Sequence, residues 1–351
     1  MGNIDKVFIE PSSKVLFSTF YIQGIIDEFG KQHVSFSNKY FKELDRTKGA
    51  FNCYLALVVV SPNKISKRII IDFQDKSVVV EEAYKWADIY AKININDKLV
   101  KSDLEKKMVS IPPGFGIKLW DKPNAIYHSL TNFIKSRSAT HLSWKRFFLN
   151  YRSQNLRGSL NDYLTPKHEN EISDTKPYIF LIGRLWNSFN SIEQTNLMRK
   201  KFIEACLNGD YNFEGGFLAK KHHPEYEEYK HLCFLKPYST IEYINKTKAS
   251  AIVFNTPTVH NCHGWKLGEF LAMGKAIISM PLSNILPEDL VHGKNIHFIS
   301  SIDEVESAVH HLLEDPEYRA KLEKGAKEYY EKFVAPNKVI QRIFHSLTGE
   351  A

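Results

Sequence analysis

Short apolar runs alternate with polar, helix-forming segments over most of the chain. In the first half, runs rich in β-branched and aromatic residues predict buried strands. These runs are Lys14–Thr19, Tyr54–Val60, Arg68–Phe73, Asp88–Ile93 and Met108–Pro112. Helical periodicity covers Tyr21–Phe29, Glu81–Ala87 and Asn96–Lys107. Strands that alternate with helices predict right-handed crossovers and a parallel sheet.

The same alternation returns in the second half of the chain. Strands are predicted at Tyr178–Ile182, Glu214–Ala219, Ala251–Phe254, Ala276–Ile278 and Ile296–Ser300. The region that precedes them, up to Lys176, is polar and basic and has no clear strand signal. We interpret that region as helices and a linker.

This pattern predicts an α/β fold of two Rossmann-like domains that face a central cleft. The N-terminal domain is predicted over residues 1–125, a basic helical and linker region over 126–176, and the C-terminal domain over 177–335. Residues 336–351 are predicted to form a C-terminal helix, with the option that it crosses back to the N-terminal domain. Ligands in such sheets bind beyond the carboxyl ends of the strands, so the cleft is the expected site.

The stretch Thr258–Met280 carries the most specific signal in the chain. It predicts a polar loop, a short helix that opens after Gly264, and a buried strand. A helix N-terminus has unpaired backbone N–H groups and a positive dipole end, which favours an anion there. Lys266 falls in the first turn of this helix, and Glu269 follows one turn in. We therefore predict a phosphate-type site at this loop.

The composition is ordinary for a soluble globular protein, with 43% hydrophobic and 25% charged residues. No apolar run approaches the roughly 20 residues that span a bilayer, and the first residues do not resemble a signal peptide. The four cysteines are scattered, which favours reduced thiols over a disulfide framework or a zinc site. These features predict a cytoplasmic protein.

The net charge of +7 is distributed unevenly. No acidic residue occurs between Asp121 and Asp162, whereas basic and aromatic residues are interleaved over 135–157. The basic residues of the stretch are Lys122, Lys135, Arg137, Lys145, Arg146, Arg152 and Arg157. Three interpretations stay open: a solvated helix face, contact with an anionic membrane surface, and contact with a nucleic acid backbone.

The run Gly183-Arg184-Leu185 follows the first predicted strand of the C-terminal half, and the loop, helix and strand of Thr258–Met280 come later. Together these residues resemble the GT-B glycosyltransferases, in particular the C-terminal domain of family 4, which typically opens with a strand and G-R-L. From Gly264 onward, G-W-K-L-G-E-F-L-A-M-G-K-A-I-I is similar to its E-x-F-G-x-x-x-x-E and A-x-G-x-P-V-I motifs, which places Glu269 on the second glutamate. Phe234–Ser239 resembles the loop beside the nucleotide base, and the segments at 286–290 and 292–295 are also similar. The resemblance covers residues 178–335.

Two positions depart from the family pattern. Asn261 stands where the first glutamate is expected, and Phe189 stands near the place of a lysine that follows G-R-L. Lys266 offers a replacement positive charge for that lysine. The donor sugar is therefore expected to be held by a different set of contacts within V-H-N-C-H-G-W-K.

The resemblance implies that a nucleotide-sugar donor, linked to UDP or GDP, binds the C-terminal domain. Arg184, Lys266 and the backbone at His263 and Gly264 are the candidates for stabilising the departing diphosphate. Glu269 is expected to bind the ribose hydroxyls. The full set of candidate donor-binding residues is Arg184, Leu235, Tyr238, Asn261, His263, Gly264, Lys266 and Glu269.

An acceptor hydroxyl must lose a proton, so a general base is useful if the anomeric centre inverts. Asp72 and Asp75 end a predicted strand of the N-terminal domain and are the candidates. The chain contains no D-x-D motif, which disfavours the metal-dependent GT-A type. His260 and His263 form a weak H-x-x-H pair without a third ligand. We expect no metal and no cofactor besides the donor.

The leading hypothesis is a metal-independent glycosyltransferase of the hexosyltransferase type. Its acceptor is a glycan or a lipid-linked molecule of cell-surface polysaccharide synthesis, and 135–157 contacts the inner face of the membrane. The alternatives are a sugar-nucleotide 2-epimerase of the same fold and a non-catalytic nucleotide-sugar binding module. A nucleic-acid binder is the least favoured, and retention or inversion stays open.

Overall fold

The computed structural model describes residues 4–44, 53–102, 106–137, 143–166, 176–187, 195–234 and 236–348. The chain forms two compact units. Unit 1 comprises Met1–Leu160, Asn284–Glu288 and Phe333–Ala351, and unit 2 comprises Asn161–Ser283 and Asp289–Lys332.

The strands and helices follow one another in a mixed α/β order. The strands are β1 (Lys6–Ile9), β2 (Val34–Phe36), β3 (Tyr54–Val60), β4 (Ser66–Asp72), β5 (Ile89–Lys92), β6 (Met108–Ser110), β7 (Tyr178–Arg184), β8 (Asn212–Leu218), β9 (Ile252–Asn255), β10 (Ala276–Ser279) and β11 (His297–Phe298). The helices are α1 (Val15–Phe29), α2 (Glu81–Trp86), α3 (Asp97–Val100), α4 (Lys122–Ser136), α5 (Trp144–Gln154), α6 (Leu160–Leu164), α7 (Thr195–Asn208), α8 (Tyr226–Tyr229), α9 (Thr240–Ala249), α10 (Trp265–Ala272), α11 (Val305–Glu314), α12 (Pro316–Tyr329) and α13 (Pro336–Thr348).

Unit 1 contains a six-stranded sheet in the order β2-β1-β3-β4-β5-β6. Strand β3 is antiparallel to both β1 and β4, whereas the other pairs are parallel. The prediction of a wholly parallel sheet is therefore wrong for this unit. The link from β3 to β4 turns at Lys64, whose φ is 62°, and is too short for the dozen or more residues of a parallel crossover.

The predicted strand at Lys14–Thr19 is wrong, because these residues belong to the start of α1. The edge of the sheet is formed instead by β1 and β2, two short strands that the pattern did not reveal. Helix α1 packs closely on α13 at Gly24, where an added Cβ would lie 2.2 Å from the Pro336 carbonyl oxygen. The C-terminal helix is thus part of unit 1.

Unit 2 contains the parallel sheet β11-β10-β9 and the parallel pair β7-β8. The pair lies beside β9, since Ala251 N donates to Tyr178 O at 2.7 Å and Phe180 N donates to Ser250 Oγ at 2.9 Å. The core between strands and helices is apolar, with Phe202 stacked on Phe254 at 4.8 Å between ring centroids. The predicted α/β class is confirmed.

None of the helices among the described residues is both long enough and apolar enough to cross a membrane.

Candidate functional site

Lysine 266 lies at the carboxyl edge of the unit 2 strands. It occupies the first turn of α10, whose N-cap Gly264 provides no side-chain hydrogen bond to the turn. Its Nζ donates to the Ile182 carbonyl oxygen, near the end of β7. Burial, together with the positive charge of Arg199, lowers the pKa of Lys266 to about 7, although Glu269 opposes this shift. The predicted loop, helix and lysine are therefore found in the predicted order.

A second cation, Arg199 of α7, lies at the same edge and is buried; the sequence alone does not predict it. Arg199 is only 6% exposed. Nε and Nη2 donate to Thr256 Oγ1 at 3.0 and 2.9 Å, and Nη1 donates to the Arg184 carbonyl oxygen at 3.0 Å. A guanidinium has five N–H groups, so one on each terminal nitrogen is left without a partner in the described part of the chain. Burial lowers the pKa of Arg199 to about 10.

Neither cation has a carboxylate within salt-bridge distance among the described residues, although Glu269 acts on Lys266 from further away. Among the residues that the structure describes, neither Arg199 nor Lys266 forms a salt bridge. A buried charge without a counter-charge is costly, by several kcal/mol even after relaxation. Buried Arg199 and partly buried Lys266, beside the uncapped first turn of α10, form a site that an anion would stabilise.

The loop before α10 holds its residues in unusual backbone positions. His260 and Asn261 have φ of 59° and 58°, values in the left-handed region that is sparsely populated by residues other than glycine. Both side chains are exposed, whereas His263 is 5% exposed. An added Cβ at Gly264 would lie 2.8 Å from Thr258 Cγ2. Gly264 is therefore required by the packing of the loop itself.

Glu269 lies one turn further along α10 and is 5% exposed. Its Oε2 accepts a hydrogen bond from Tyr243 Oη of α9 at 2.9 Å. The Tyr243 ring lies 6.2 Å from that of Phe180, and Phe180 makes an edge contact with Tyr238 at 5.4 Å. The predicted ribose-binding carboxylate and the predicted base-loop tyrosine are thus connected through two aromatic side chains of unit 2.

Tyr238 also belongs to a hydrogen-bonded network around the Glu214 carboxylate, which the sequence alone does not predict. Glu214 Oε1 accepts from Tyr238 Oη at 2.6 Å, and Glu214 Oε2 accepts from Tyr178 Oη and Lys246 Nζ, each at 2.6 Å. Burial raises the pKa of Glu214, but the hydrogen bonds from Lys246 and the two tyrosines outweigh it and lower the pKa to about 2. The network fixes the position of Tyr238 beside Phe234, which stacks on it at 5.2 Å.

Replacement of Glu214 by Gln is expected to lower the free energy of unfolding at neutral pH by about 1–2 kcal/mol, after allowance for screening by water. Because the folded-state pKa is depressed, this stability is present above about pH 4.5 and is lost as the pH falls toward 2. Urea unfolding of the variant and the wild type over this pH range measures the difference. The exposed pair of Glu227 and Lys230 provides the control, because Glu227→Gln should change little. An equal loss in both variants at every pH would contradict the account.

The other predicted residues are Arg184 and Leu235 in the C-terminal half and Asp72 and Asp75 in unit 1. The Arg184 side chain is exposed, and only its carbonyl oxygen contacts Arg199. Leu235 lies outside the described residues. Asp75 is exposed on unit 1.

Asp72 is the last residue of β4 and is fully buried, with 0% exposure. It forms an ion pair with Lys92 at 3.1 Å and accepts from Tyr90 Oη at 2.5 Å and from Gln74 N at 2.8 Å. This environment gives Asp72 a structural role in unit 1 and leaves its predicted role as a general base without support from the geometry. Asp75 is the more accessible of the two predicted bases.

No cluster of three or more His, Cys, Asp or Glu side chains with metal-binding geometry occurs among the described residues.

Residues 199–345 match a protein-family model described as glycosyl transferase-like. The matched segment is less than half of the 351-residue chain and includes Arg199, the loop before α10 and Glu269. The predicted resemblance of the C-terminal half to glycosyltransferases is confirmed there. No curated protein matches the chain.

Solved structures give weaker likenesses. A glycosyltransferase from Rickettsia africae is 14% identical, with 79% of this chain and 76% of that one covered and a TM-score of 0.45. The C-terminal domain of a glycosyl transferase group 1 family protein from Francisella tularensis is 13% identical, with 49% and 96% covered and a TM-score of 0.36. A putative UDP-N-acetylglucosamine 2-epimerase from Listeria monocytogenes is 14% identical, with 77% and 61% covered and a TM-score of 0.39.

Proposed function

We propose that the protein is a glycosyltransferase of the hexosyl type that uses a UDP- or GDP-linked sugar as its donor. The observation that carries the proposal is the pair of cations formed by buried Arg199 and partly buried Lys266, neither of which forms a salt bridge among the described residues. Both lie at the carboxyl edge of parallel strands, where α/β sheets bind nucleotides. A diphosphate supplies the negative charge that this arrangement lacks.

The same geometry suits the chemistry of sugar transfer. Cleavage of the anomeric C–O bond places negative charge on the departing diphosphate. Cations and N–H dipoles that are already oriented toward this charge lower the barrier without reorganisation. In our proposal Arg199 and Lys266 supply the cations, and the first turn of α10 supplies the N–H groups.

The nucleoside is proposed to extend from the diphosphate toward Glu269 and Tyr238. Glu269 would accept hydrogen bonds from the ribose hydroxyls, and Tyr238, with Leu235, would lie beside the base. His263 and Asn261 are proposed to contact the donor sugar. The reaction is proposed to need no metal and no further cofactor, because the cations of the chain take the place of a metal ion at the diphosphate.

The acceptor is proposed to be a glycan or a lipid-linked molecule of cell-surface polysaccharide synthesis, with Asp75 as the candidate base. Contact with the inner face of a membrane through 135–157 is part of the proposal and would bring the protein to a lipid-linked acceptor. The support is the basic composition of this region, in which no acidic residue occurs, and the 67% exposure of Trp144.

A thermal-shift panel of UDP, GDP, CMP and ADP sugars tests the proposal. One donor class is expected to raise the melting temperature, since a ligand at 100 times its Kd stabilises by about 2.7 kcal/mol. Glu269→Gln should remove most of this shift yet keep the melting temperature of the free protein, because Gln still accepts from Tyr243. Glu269→Ala should also destabilise the free protein by about 1–3 kcal/mol, because the Tyr243 hydroxyl loses its partner.

Tyr243→Phe is the matched control and should retain the donor-induced shift. A panel in which no nucleotide sugar stabilises the protein would overturn the proposal. Stabilisation without transfer to any acceptor would indicate a binding module, and turnover of the donor alone would indicate an epimerase.

A further inference from the structure

A cavity lies in unit 1, between α4 and α5. Its volume is about 460 Å³. It is lined by apolar side chains and by two cations: Ala125, Ile126, Phe148, Tyr151, Leu156, Asn155, Lys122 and Arg152. The cavity is thus apolar over most of its wall and positively charged at Lys122 and Arg152.

The two cations have no acidic neighbours to satisfy them. Within the described residues, neither Lys122 nor Arg152 forms a salt bridge. The sequence contains no acidic residue from 122 to 161. Burial, with the charges of Lys31 and Lys135, lowers the pKa of His128 on α4. The ligand that this surface favours is therefore an anion.

The surface beside the cavity is apolar and aliphatic. Ile126, Leu130 and Ile134 recur every four residues along α4 and are 46%, 59% and 73% exposed, so they form one face of the helix. Leu156, at the cavity, is 69% exposed. Seven of the 13 exposed large hydrophobic side chains among the described residues lie between 126 and 156. Such a concentration of exposed apolar side chains on α4, α5 and the residues that follow indicates an interaction surface.

The cavity wall also contains an unsatisfied polar atom. Asn155 Oδ1, at the end of α5, is buried and has no hydrogen-bond partner in the described part of the chain. Leaving an acceptor in this state costs free energy. A ligand with a hydroxyl donor would satisfy it.

We infer that this cavity binds a single anionic phospholipid of a bilayer. Its phosphate lies between Lys122 and Arg152, a head-group hydroxyl donates to Asn155 Oδ1, and its apolar part contacts Ile126, Phe148 and Leu156. The exposed α4 face enters the same leaflet. The inference rests on the membrane contact proposed above and adds to it a defined lipid site, which would hold the enzyme where a lipid-linked acceptor is found.

The composition of the surface favours lipid over the other anionic partners. A nucleic acid backbone is bound through basic residues with aromatic rings that stack on bases, whereas the exposed α4 face is dominated by Ile and Leu. These aliphatic side chains gain little from a polynucleotide and are suited to hydrocarbon. Trp144 and Tyr127, both exposed, are side chains that prefer the interface between lipid and water.

The test uses the full chain and two probes. Calorimetric titration with a short-chain, water-soluble phosphatidylglycerol measures the cavity, and flotation with phosphatidylcholine vesicles, with and without phosphatidylglycerol, measures the surface. We expect saturable binding of the soluble lipid, and flotation only with phosphatidylglycerol vesicles. Lys122→Gln and Arg152→Gln should each weaken binding of the soluble lipid at least about tenfold, as loss of a charge-assisted hydrogen bond would.

Arg137→Gln and Arg146→Gln are the controls, since these exposed cations do not line the cavity. They should leave binding of the soluble lipid within about twofold and weaken only flotation. Asn155→Leu should weaken binding while keeping or raising the melting temperature, because it removes an unsatisfied buried acceptor. This variant separates loss of the site from loss of the fold.

Equal losses in all four charge variants, or equal binding of inorganic phosphate and lipid, would overturn the defined site. Tighter binding to RNA than to the vesicles would overturn the lipid assignment. Binding of UDP or GDP by the same samples distinguishes the two proposals. Failure with lipid while the nucleotide still binds contradicts only this inference, and the reverse result contradicts only the donor proposal.

Discussion

Replacing Arg199 by Met is expected to lower the affinity for a nucleoside diphosphate about 100-fold or more. Hydrogen bonds to a charged group contribute about 1.5–3 kcal/mol each, and a guanidinium offers two of them to one phosphate. The stability of the free protein, in contrast, is expected to stay unchanged or to rise. Replacement of a buried ion pair by apolar side chains of similar volume is often neutral or stabilising by about 1–4 kcal/mol. Arg199 is buried without a salt bridge among the described residues, so we expect its replacement to relieve a desolvation cost that offsets the lost hydrogen bonds to Thr256 and Arg184.

The combination of weaker binding and unchanged or higher stability is the signature of a cation kept for a ligand. Urea unfolding of the free protein and calorimetric titration with UDP and GDP measure the two quantities. Lys201→Met on the exposed face of the same helix is the matched control and should change neither. A strongly destabilised Arg199→Met variant, with wild-type affinity for both nucleotides after correction for its folded fraction, would make Arg199 a structural residue.

Lys266 is expected to make both stability and donor binding depend on pH in the neutral to alkaline range. Its pKa is about 7 in the folded protein against 10.5 for a free lysine. Between these values the unfolded chain binds one more proton than the folded protein, so the free energy of unfolding rises with pH from about 7 to about 10.5. The rise is expected to be about 2–4 kcal/mol relative to Lys266→Met, which has no such group.

Binding of a diphosphate should reverse this shift. An anion beside Lys266 favours the ammonium form and raises its pKa, so donor binding above about pH 7 takes up a proton and weakens as the pH rises. Calorimetry at about pH 8 in buffers of different ionisation enthalpy measures the proton uptake. We expect uptake of a substantial fraction of a proton in the wild type and none at this position in Lys266→Met. Equal uptake in both proteins would contradict the assignment.

The sequence predicts the site best where the residues of the site are neighbours along the chain. The loop, the helix start after Gly264, Lys266, Glu269 and the strand that follows are adjacent in sequence, so their pattern of polar and apolar residues reveals them. The fold class follows for the same reason, since strand β3 coincides with the predicted run Tyr54–Val60.

The sequence predicts least where a residue acquires its role from distant elements. In the sequence, Arg199 is one of three consecutive basic residues in the run T-N-L-M-R-K-K, and nothing distinguishes it from the other two. It is buried only because Thr256 after β9 and the Arg184 carbonyl of β7 lie beside it in the folded unit. Asp72 shows the converse, because Lys92 and Tyr90 from another strand enclose a carboxylate that resembled an accessible turn residue.

Two wrong predictions, the wholly parallel sheet of unit 1 and the strand at Lys14–Thr19, could have been avoided, because the sequence also contains signals for the observed structure. The link between the runs at Tyr54–Val60 and Arg68–Phe73 holds too few residues for a helix, so a hairpin was the only simple connection. The run Lys14–Thr19 is continuous with the helical periodicity of Tyr21–Phe29, and short apolar runs do not distinguish strand from helix by themselves.

A crystal structure of the protein with the diphosphate nucleotide that stabilises it most is the most direct test of the donor site. We predict that phosphate oxygens lie within hydrogen-bonding distance of Lys266 Nζ, the terminal nitrogens of Arg199 and the first-turn N–H groups of α10, with the ribose at Glu269. A nucleotide bound elsewhere in the same crystals, with the Arg199 and Lys266 side chains unchanged and out of contact with it, would contradict the account.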